Sequence, residues 1–177
     1  MKRKLMGLFV VWALLMPVLC MAAAAPGTVT QNERKNYPEY GIRQIVFTCI
    51  GSADDGSIPN TATDTTNTNF ISGWVLYQVD AYPTAGGTAP DAASVFILDA
   101  NDLDLLGSED GSTTPYNGLN LIHATLPRSA LPNKYIPGDG THVNFYPVVT
   151  GALTLKVISQ ATVSANYTVV LTFIKAN

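Results

Sequence analysis

The densest group of potential ligands in this sequence is an acidic cluster between two apolar runs. Asp99, Asn101, Asp102 and Asp104 carry oxygen-bearing side chains at close spacing. Oxygen ligands spaced in this way are typical of calcium sites. Position 103, however, is Leu where an EF-hand loop supplies another oxygen. Because Asn and Asp also bond to nearby backbone N–H groups, we favour a tight turn here and keep calcium binding as the alternative.

Hydrolytic chemistry has little support from residue types or their spacing. Only His123 and His142 could serve as the base of a serine hydrolase, and Ser108 lies in Gly-Ser-Glu-Asp-Gly rather than in a G-x-S-x-G elbow. Two histidines and one cysteine beyond the leader do not make a zinc ligand set. A glycosidase acid pair would have to come from carboxylates whose separation the sequence does not set, namely Asp80, Asp99, Asp102, Asp104, Glu109 and Asp110. We therefore predict a protein that is not an enzyme, with no catalytic residue and no cofactor.

Aromatic side chains offer a second kind of chemistry, the stacking of a sugar ring. The candidates are Trp74, Tyr77, Tyr82, Tyr116 and Tyr135. Aromatic rings more often fill a core or cover its rim. We therefore expect Trp74 and Tyr77 to be core residues and the loop tyrosines to lie around them, with a sugar platform as the alternative.

The first 24 residues have the three-part layout of a secretory signal peptide. A basic head at residues 2–4 precedes an apolar run at 5–21, and alanines at 22–25 provide a cleavage site after Ala24. We expect an exported protein, periplasmic or extracellular, with an uncleaved anchor helix as the alternative. Cys20 leaves with the leader, so Cys49 remains alone and is expected to be a small buried side chain rather than a reactive thiol.

Composition limits the classes of partner. Only 13% of the 177 residues are charged, about half the usual fraction. After residue 4, seven Lys and Arg stand against thirteen Asp and Glu. This balance argues against nucleic acid and against an anionic membrane surface as partners. The length and the 47% apolar content suit one folded domain.

Beyond residue 42 the pattern is β throughout. Short runs rich in Val, Ile, Thr and Tyr are separated by Gly, Pro, Asn and Asp, and no helical stripe interrupts them. The sequence predicts an all-β fold at residues 42–177, an antiparallel β-sandwich or jelly roll of about 7–8 strands in one domain. The predicted strands cover 42–50, 70–81, 94–98, 119–126, 143–149, 153–159 and 167–174.

Three local expectations accompany this fold. The last two predicted strands alternate apolar and polar residues around a polar turn at 160–166, which favours a hairpin. Residues 54–69 are turn-rich and polar, which favours an exposed loop. Residues 25–41 are polar and contain Pro38, which favours an irregular arm whose deletion leaves the sandwich folded.

Three stretches of the chain resemble short virion structural proteins of tailed bacteriophages. They are the strand and loop from Phe70 to Pro90, the run from Val95 to Gly107, and the closing segment from Leu153 to Ile174. The middle stretch is similar to that family's pattern of a strand, an acidic turn and then Asp-apolar-Leu. The resemblance implies a non-enzymatic head or tail subunit. Because of the leader, the chain would be a secreted relative or would keep its leader in the particle.

Two classes of function follow from these observations. In the first, the protein is a structural or interaction subunit that meets protein partners, as a homo-oligomer or in a particle or surface assembly, through sheet edges, loops and the arm. In the second, it is a secreted or periplasmic β-sandwich module that binds a glycan or calcium. Neither class involves nucleic acid, or a membrane once the leader is cleaved.

Overall fold

A computed structural model describes residues 25–91, 93–107, 127–136 and 141–176 of this chain. The predicted leader at 1–24 and the predicted strand at 119–126 lie outside these ranges. Within them, no helix has the length and apolar character needed to cross a bilayer. The described elements, in chain order, are β1 (Thr28–Tyr37), β2 (Ile42–Ile50), β3 (Thr61–Ala62), α1 (Thr65–Ile71), β4 (Trp74–Pro83), β5 (Ser94–Leu98), β6 (Arg128–Ala130), β7 (Asn133–Ile136), β8 (Thr141–Asn144), β9 (Thr154–Ile158) and β10 (Asn166–Lys175).

These strands form antiparallel sheets. The first sheet has the order β1-β2-β10-β4-β6, and the second has the order β3-β9-β5. Strands β7 and β8 pair in a separate ribbon. The fold is therefore all-β and sandwich-like, as the sequence predicts.

One apolar cluster lies between the inner faces of the two larger sheets. Alternate residues of each strand reach it, as the period of two in a pleated strand requires. Phe47 and Leu171 from the first sheet and Val95 from the second are completely buried, and Leu155 from the second is almost completely buried. The Cys49 side chain also belongs to this cluster, which confirms the prediction that it is buried.

Several strands agree well with their predicted positions, but the strand predicted at 143–149 shares only its first two residues with β8, and one predicted pairing is wrong. β2 and β5 have the predicted bounds, and β10 is one residue longer at each end than the predicted strand. The predicted hairpin of the last two strands does not form, because β9 lies in the second sheet and β10 in the first. Alternation shows which side of a strand is buried, whereas the choice of partner depends on distant segments.

A short helix, which the sequence pattern does not predict, lies within the stretch expected to be a loop. Asp64 caps its start, since the carboxylate accepts a hydrogen bond from the Asn67 backbone N–H at 2.6 Å. The helix buries Ile71, and a turn at Gly73 with φ of 78° then leads into β4. The strand predicted from residue 70 therefore begins at Trp74. Seven residues are too few to show a helical periodicity in the sequence.

The polar segment expected to be an irregular arm is instead the edge strand β1. It pairs with β2 along its length, with an irregularity between Thr30 and Glu33. The Gln31 side chain joins the two sheets, because its Nε2 donates to the Ala62 carbonyl at 2.7 Å and its Oε1 accepts from the Asp64 backbone N–H at 3.2 Å. A strand held by its backbone at a sheet edge can be polar, and so its composition resembles that of a loop.

Candidate functional site

The outer face of the five-stranded sheet, which points away from the core, is the most distinctive surface of the described chain. Its side chains alternate with the buried inner row, and the register places them in rows across β2, β10 and β4. Of the fifteen described side chains on these strands that point outward, Asp80 is the one that carries a charge. The fifteen are Ile42, Gln44, Val46, Thr48, Ile50, Asn166, Thr168, Val170, Thr172, Ile174, Val75, Tyr77, Gln78, Asp80 and Tyr82.

Apolar side chains line up at one end of this face. Tyr37 pairs with Ile42, Ile42 with Ile174, Ile174 with Val75, and Val75 with Val148. Side chains of directly paired residues lie on the same side of a sheet. Together with Tyr77 and Tyr146, which lie beside the Val75–Val148 pair, they form what we call the apolar strip.

The strip is open to solvent at several points. Tyr37 is 39% exposed, Tyr77 40%, Tyr146 42% and Val148 51%. Ile42, Ile174 and Val75, between them, are half-buried, and the central outward residues Val46 and Val170 are buried. Exposed apolar side chains that adjoin one another in this way mark interaction surfaces, whereas scattered ones do not.

Tyr77 and Tyr146 stack on each other at the edge of β4. Their ring centroids are 5.8 Å apart and their planes differ by 15°. Strand β4 has an extra residue at the irregularity opposite Thr172 and Phe173, which interrupts the alternation of side chains. Tyr77 and the next residue, Gln78, therefore both point outward. The prediction that Tyr77 fills the core is therefore wrong. Trp74, by contrast, is partly buried against the core, with the Arg43 guanidinium 4.1 Å from its ring centroid.

The segment that carries Tyr146 and Val148 pairs with β4 like a short extra strand. The Leu76 backbone N–H donates to the Pro147 carbonyl at 3.0 Å, and the Val149 backbone N–H donates to the Trp74 carbonyl at 2.8 Å. Pro147 has no N–H, and so a proline here suits the edge of a sheet rather than its middle. This pairing carries the outer face one step beyond β4.

Three polar side chains joined by hydrogen bonds lie next to the strip. The Asp80 carboxylate accepts hydrogen bonds from Gln78 Nε2, at 2.7 Å, and from Ser129 Oγ on β6. Ser129 is directly opposite Asp80 in the register. The outer face therefore combines an apolar end with a neighbouring set of hydrogen-bonding groups, which is the general composition of a binding surface.

The acidic cluster folds as a turn. Asp99 Oδ1 accepts from the backbone N–H groups of Asn101 and Leu103, at 2.8 and 3.0 Å. Asp104 Oδ1 accepts from the backbone N–H groups of Ile97 and Leu106, each at 3.2 Å. The four calcium candidates thus separate into two turn-forming carboxylates and two exposed side chains, Asn101 and Asp102. Within the described ranges, no group of three or more His, Cys, Asp or Glu is placed to hold a metal ion.

Cys49 and Tyr167 are neighbours across β2 and β10, and both are completely buried. Burial raises the pKa of the Cys49 thiol to about 12. Burial also raises the pKa of Tyr167, with the nearby Cys49 adding to the effect. Both groups are neutral at physiological pH and belong to the core, which agrees with the expectation of an unreactive thiol.

The remaining candidates from the sequence lie in other elements or outside the described residues. Tyr82 is 37% exposed and lines a shallow depression of about 380 Å³ beside the 84–89 loop and Pro127. His142 lies in β8 and Tyr135 in β7. His123, Tyr116, Glu109 and Asp110 lie outside the described residues. Among the described side chains, Tyr77 stacks on Tyr146, which is not one of the predicted aromatic candidates.

The apolar strip itself is not evident in the sequence, because its members come from four strands and from the separate segment at 145–149. One local signal was available in residues 145–149, where aromatic and branched side chains flank Pro147. A proline within such a run is typical of a sheet edge with exposed apolar neighbours.

Comparison with protein-family models, with curated proteins and with solved structures finds no match for this chain.

Proposed function

We propose that this protein is a non-enzymatic structural or interaction protein that contacts protein partners through the outer face of its first sheet. One observation carries the proposal, namely the apolar strip on a face where Asp80 is the one charged outward residue of the three central strands. Protein interfaces are depleted of charge at their centre and enriched in tyrosine and other aromatic residues. In its specific form, the proposal is a subunit of a phage-like particle, or a secreted relative of one, and the sequence resemblance supports this form.

The experiment is a fractionation of the native source into density-banded particles, periplasm and medium. Mass spectrometry would locate the protein and identify its N-terminal peptide. We expect the protein in a large assembly, and we expect a Tyr146→Lys variant to leave that assembly while it remains folded and soluble. A matched control, Val163→Lys, changes an apolar residue of similar exposure outside the strip and should stay assembled.

Recovery of the wild-type protein only as a free species would contradict the proposal. A mature N-terminus near Ala25 would support export through a cleaved leader. An N-terminus that still contains the apolar run would support the anchored alternative.

A glycan-binding module is the second candidate, and one observation favours it. The exposed Tyr77–Tyr146 stack lies on the same face as the hydrogen-bonding group of Gln78, Asp80 and Ser129. A ligand that binds only the folded state raises the melting temperature, and the shift grows as the ligand concentration rises above the dissociation constant. A melting shift with a panel of neutral oligosaccharides, abolished by Tyr77→Ala, would select this function over the first.

A further inference from the structure

We propose that the edge of β8 pairs with the same edge of a second copy of this chain, so that the two β7–β8 ribbons join into one continuous antiparallel sheet. This contact lies on the ribbon and not on the outer face of the first sheet. The inference therefore does not rest on the proposed function. It adds a second protein contact and identifies its partner.

The backbone of β8 offers hydrogen-bonding groups on the side that faces away from β7. Within the described ranges, β8 pairs with β7 alone. The backbone N–H of Phe145, just beyond β8, donates to the Pro132 carbonyl on the β7 side at 3.1 Å. Backbone groups alternate between the two sides of a strand, so those of Val143 also point towards β7. Those of His142 and Asn144 then point to the other side, where a further strand can bind.

The edge of β8 lacks the features that usually prevent strand addition. Residues 141–146 read Thr-His-Val-Asn-Phe-Tyr, without Asp, Glu, Lys, Arg or proline. Charged side chains, irregular pairing, proline and short length are the usual means by which edges avoid one another. Strand β1 has an irregular register after Thr30 and carries Arg34 and Lys35, and β3 and β6 are two and three residues long. β8 is therefore better suited than these edges to pairing between copies.

Apolar side chains at this edge are open to solvent. Val143 is 44% exposed and Phe145 is 41% exposed, and they lie on the same side of the ribbon because they are two residues apart. Tyr146 and Val148 follow in the same segment and are also exposed. Exposed apolar side chains concentrated in this way mark an interaction surface, whereas scattered ones do not.

Symmetry makes the β8 edge complementary to itself. A two-fold axis through Val143 sets this residue opposite its own symmetry mate, as an isologous contact requires, and sets Thr141 opposite Phe145 of the partner copy. Position 142 of each copy then faces position 144 of the other, and these pairs exchange backbone hydrogen bonds. Because residues 141–145 include no Asp, Glu, Lys or Arg, the pairing buries no unpaired carboxylate, ammonium or guanidinium group.

The proposed register fixes the distance between the two copies of residue 143. The backbone groups of Val143 point away from the partner, and opposite residues of this kind have Cα atoms about 4.5 Å apart. This distance lies within the range of about 4.4–6.8 Å that a disulfide requires. A Val143→Cys variant should therefore form a disulfide between two copies in oxidising buffer. Val163→Cys, at an apolar position of similar exposure outside β8, is the matched control and should not.

Sedimentation velocity over a range of concentrations, on protein expressed from the full sequence, measures the association itself. We expect a reversible and weak dimer, because contacts that bury less than about 1,200 Å² are typical of transient association. Asn144→Pro removes an N–H from the free side of β8 and should raise the dissociation constant about tenfold or more. Val143→Lys should do the same, since it sets two like charges directly opposite each other. Val163→Lys should leave the dimer unchanged, and circular dichroism would verify that each variant is folded.

Peptide mapping by mass spectrometry without reduction would locate any disulfide. A bridge between two copies of position 143 supports the proposal, and the buried Cys49 does not compete for it. A wild-type protein that stays monomeric, together with a Val143→Cys variant that forms no bridge, would overturn the pairing. A dimer that Asn144→Pro and Val143→Lys both leave intact would also overturn it, as would equal bridging by Val163→Cys.

The proposed function fails separately from this inference. A dimer that Asn144→Pro weakens, together with a native assembly that Tyr146→Lys leaves intact, would support the β8 contact and contradict the outer-face contact. A monomer that still joins a native assembly, and leaves it on Tyr146→Lys, would support the outer-face contact and overturn the β8 pairing.

Discussion

At the scale of single residues, carboxylates in this protein shape turns. Asp104 is buried and accepts two backbone N–H groups from either side of its turn, whereas Asp102 is exposed and adopts a φ of 62°. Aspartate and asparagine tolerate this left-handed conformation better than most residues. The charged side chains of the cluster therefore have different structural roles, although their sequence spacing looks uniform.

We predict that Asp104→Ala lowers the free energy of unfolding by about 1–3 kcal/mol, because it leaves buried N–H groups without an acceptor. Asp102→Asn is the control, since it removes a charge but keeps a residue suited to the left-handed conformation. Urea denaturation followed by circular dichroism would measure both. A wild-type melting temperature that rises with calcium, and an Asp104→Ala variant that no longer responds, would favour the metal site instead.

At the scale of elements, β1 connects the two sheets rather than extending from them. The Gln31 side chain donates to the Ala62 carbonyl and accepts from the Asp64 backbone N–H and the Asn67 side-chain amide, on or next to β3 and α1. Val29 on the same strand packs against the core. Deletion of residues 26–40 would therefore uncover one edge of β2 and open that side of the sandwich, contrary to the expectation from its composition.

We predict that Gln31→Ala lowers the free energy of unfolding by about 3 kcal/mol, since each net hydrogen bond contributes about 1 kcal/mol and three are lost. Thr30→Ala, at the exposed neighbouring position of the same strand, should have a much smaller effect. Chemical denaturation of the two variants under the same conditions gives the comparison. Equal stabilities would mean that the Gln31 bonds do not hold the edge together.

At the scale of the whole molecule, the two larger sheets bury one shared cluster, so neither can keep its core without the other. Trp74 lies against that cluster and is the one tryptophan beyond the predicted leader. We predict that its fluorescence and the far-ultraviolet circular dichroism report a single coincident unfolding transition. Phe47→Leu in the first sheet and Leu155→Ala in the second should each shift both signals together. Separate transitions would show that the sheets unfold independently.

Much of the fold, and little of the candidate site, could be predicted from the sequence. The bounds of β2 and β5 and the burial of Cys49 follow from local alternation and turn residues. The capped helix at residues 65–71 is not predicted, because seven residues are too few to show a helical period. Strand β1 is not predicted, because an edge strand can be polar and then resembles a loop in composition. The predicted hairpin is wrong because the alternation of apolar and polar residues in its two strands is equally compatible with other pairing partners.

The sequence by itself determined the all-β class, since the preference of each run for a pleated, half-buried strand is a property of neighbouring residues. Only the tertiary structure decided which strands pair, and in which register. That pairing brings Tyr37, Ile174 and Val148 into one row although they lie far apart along the chain. The candidate surface depends on this row, and rows across a sheet arise from backbone hydrogen bonds between distant segments, which no local pattern records.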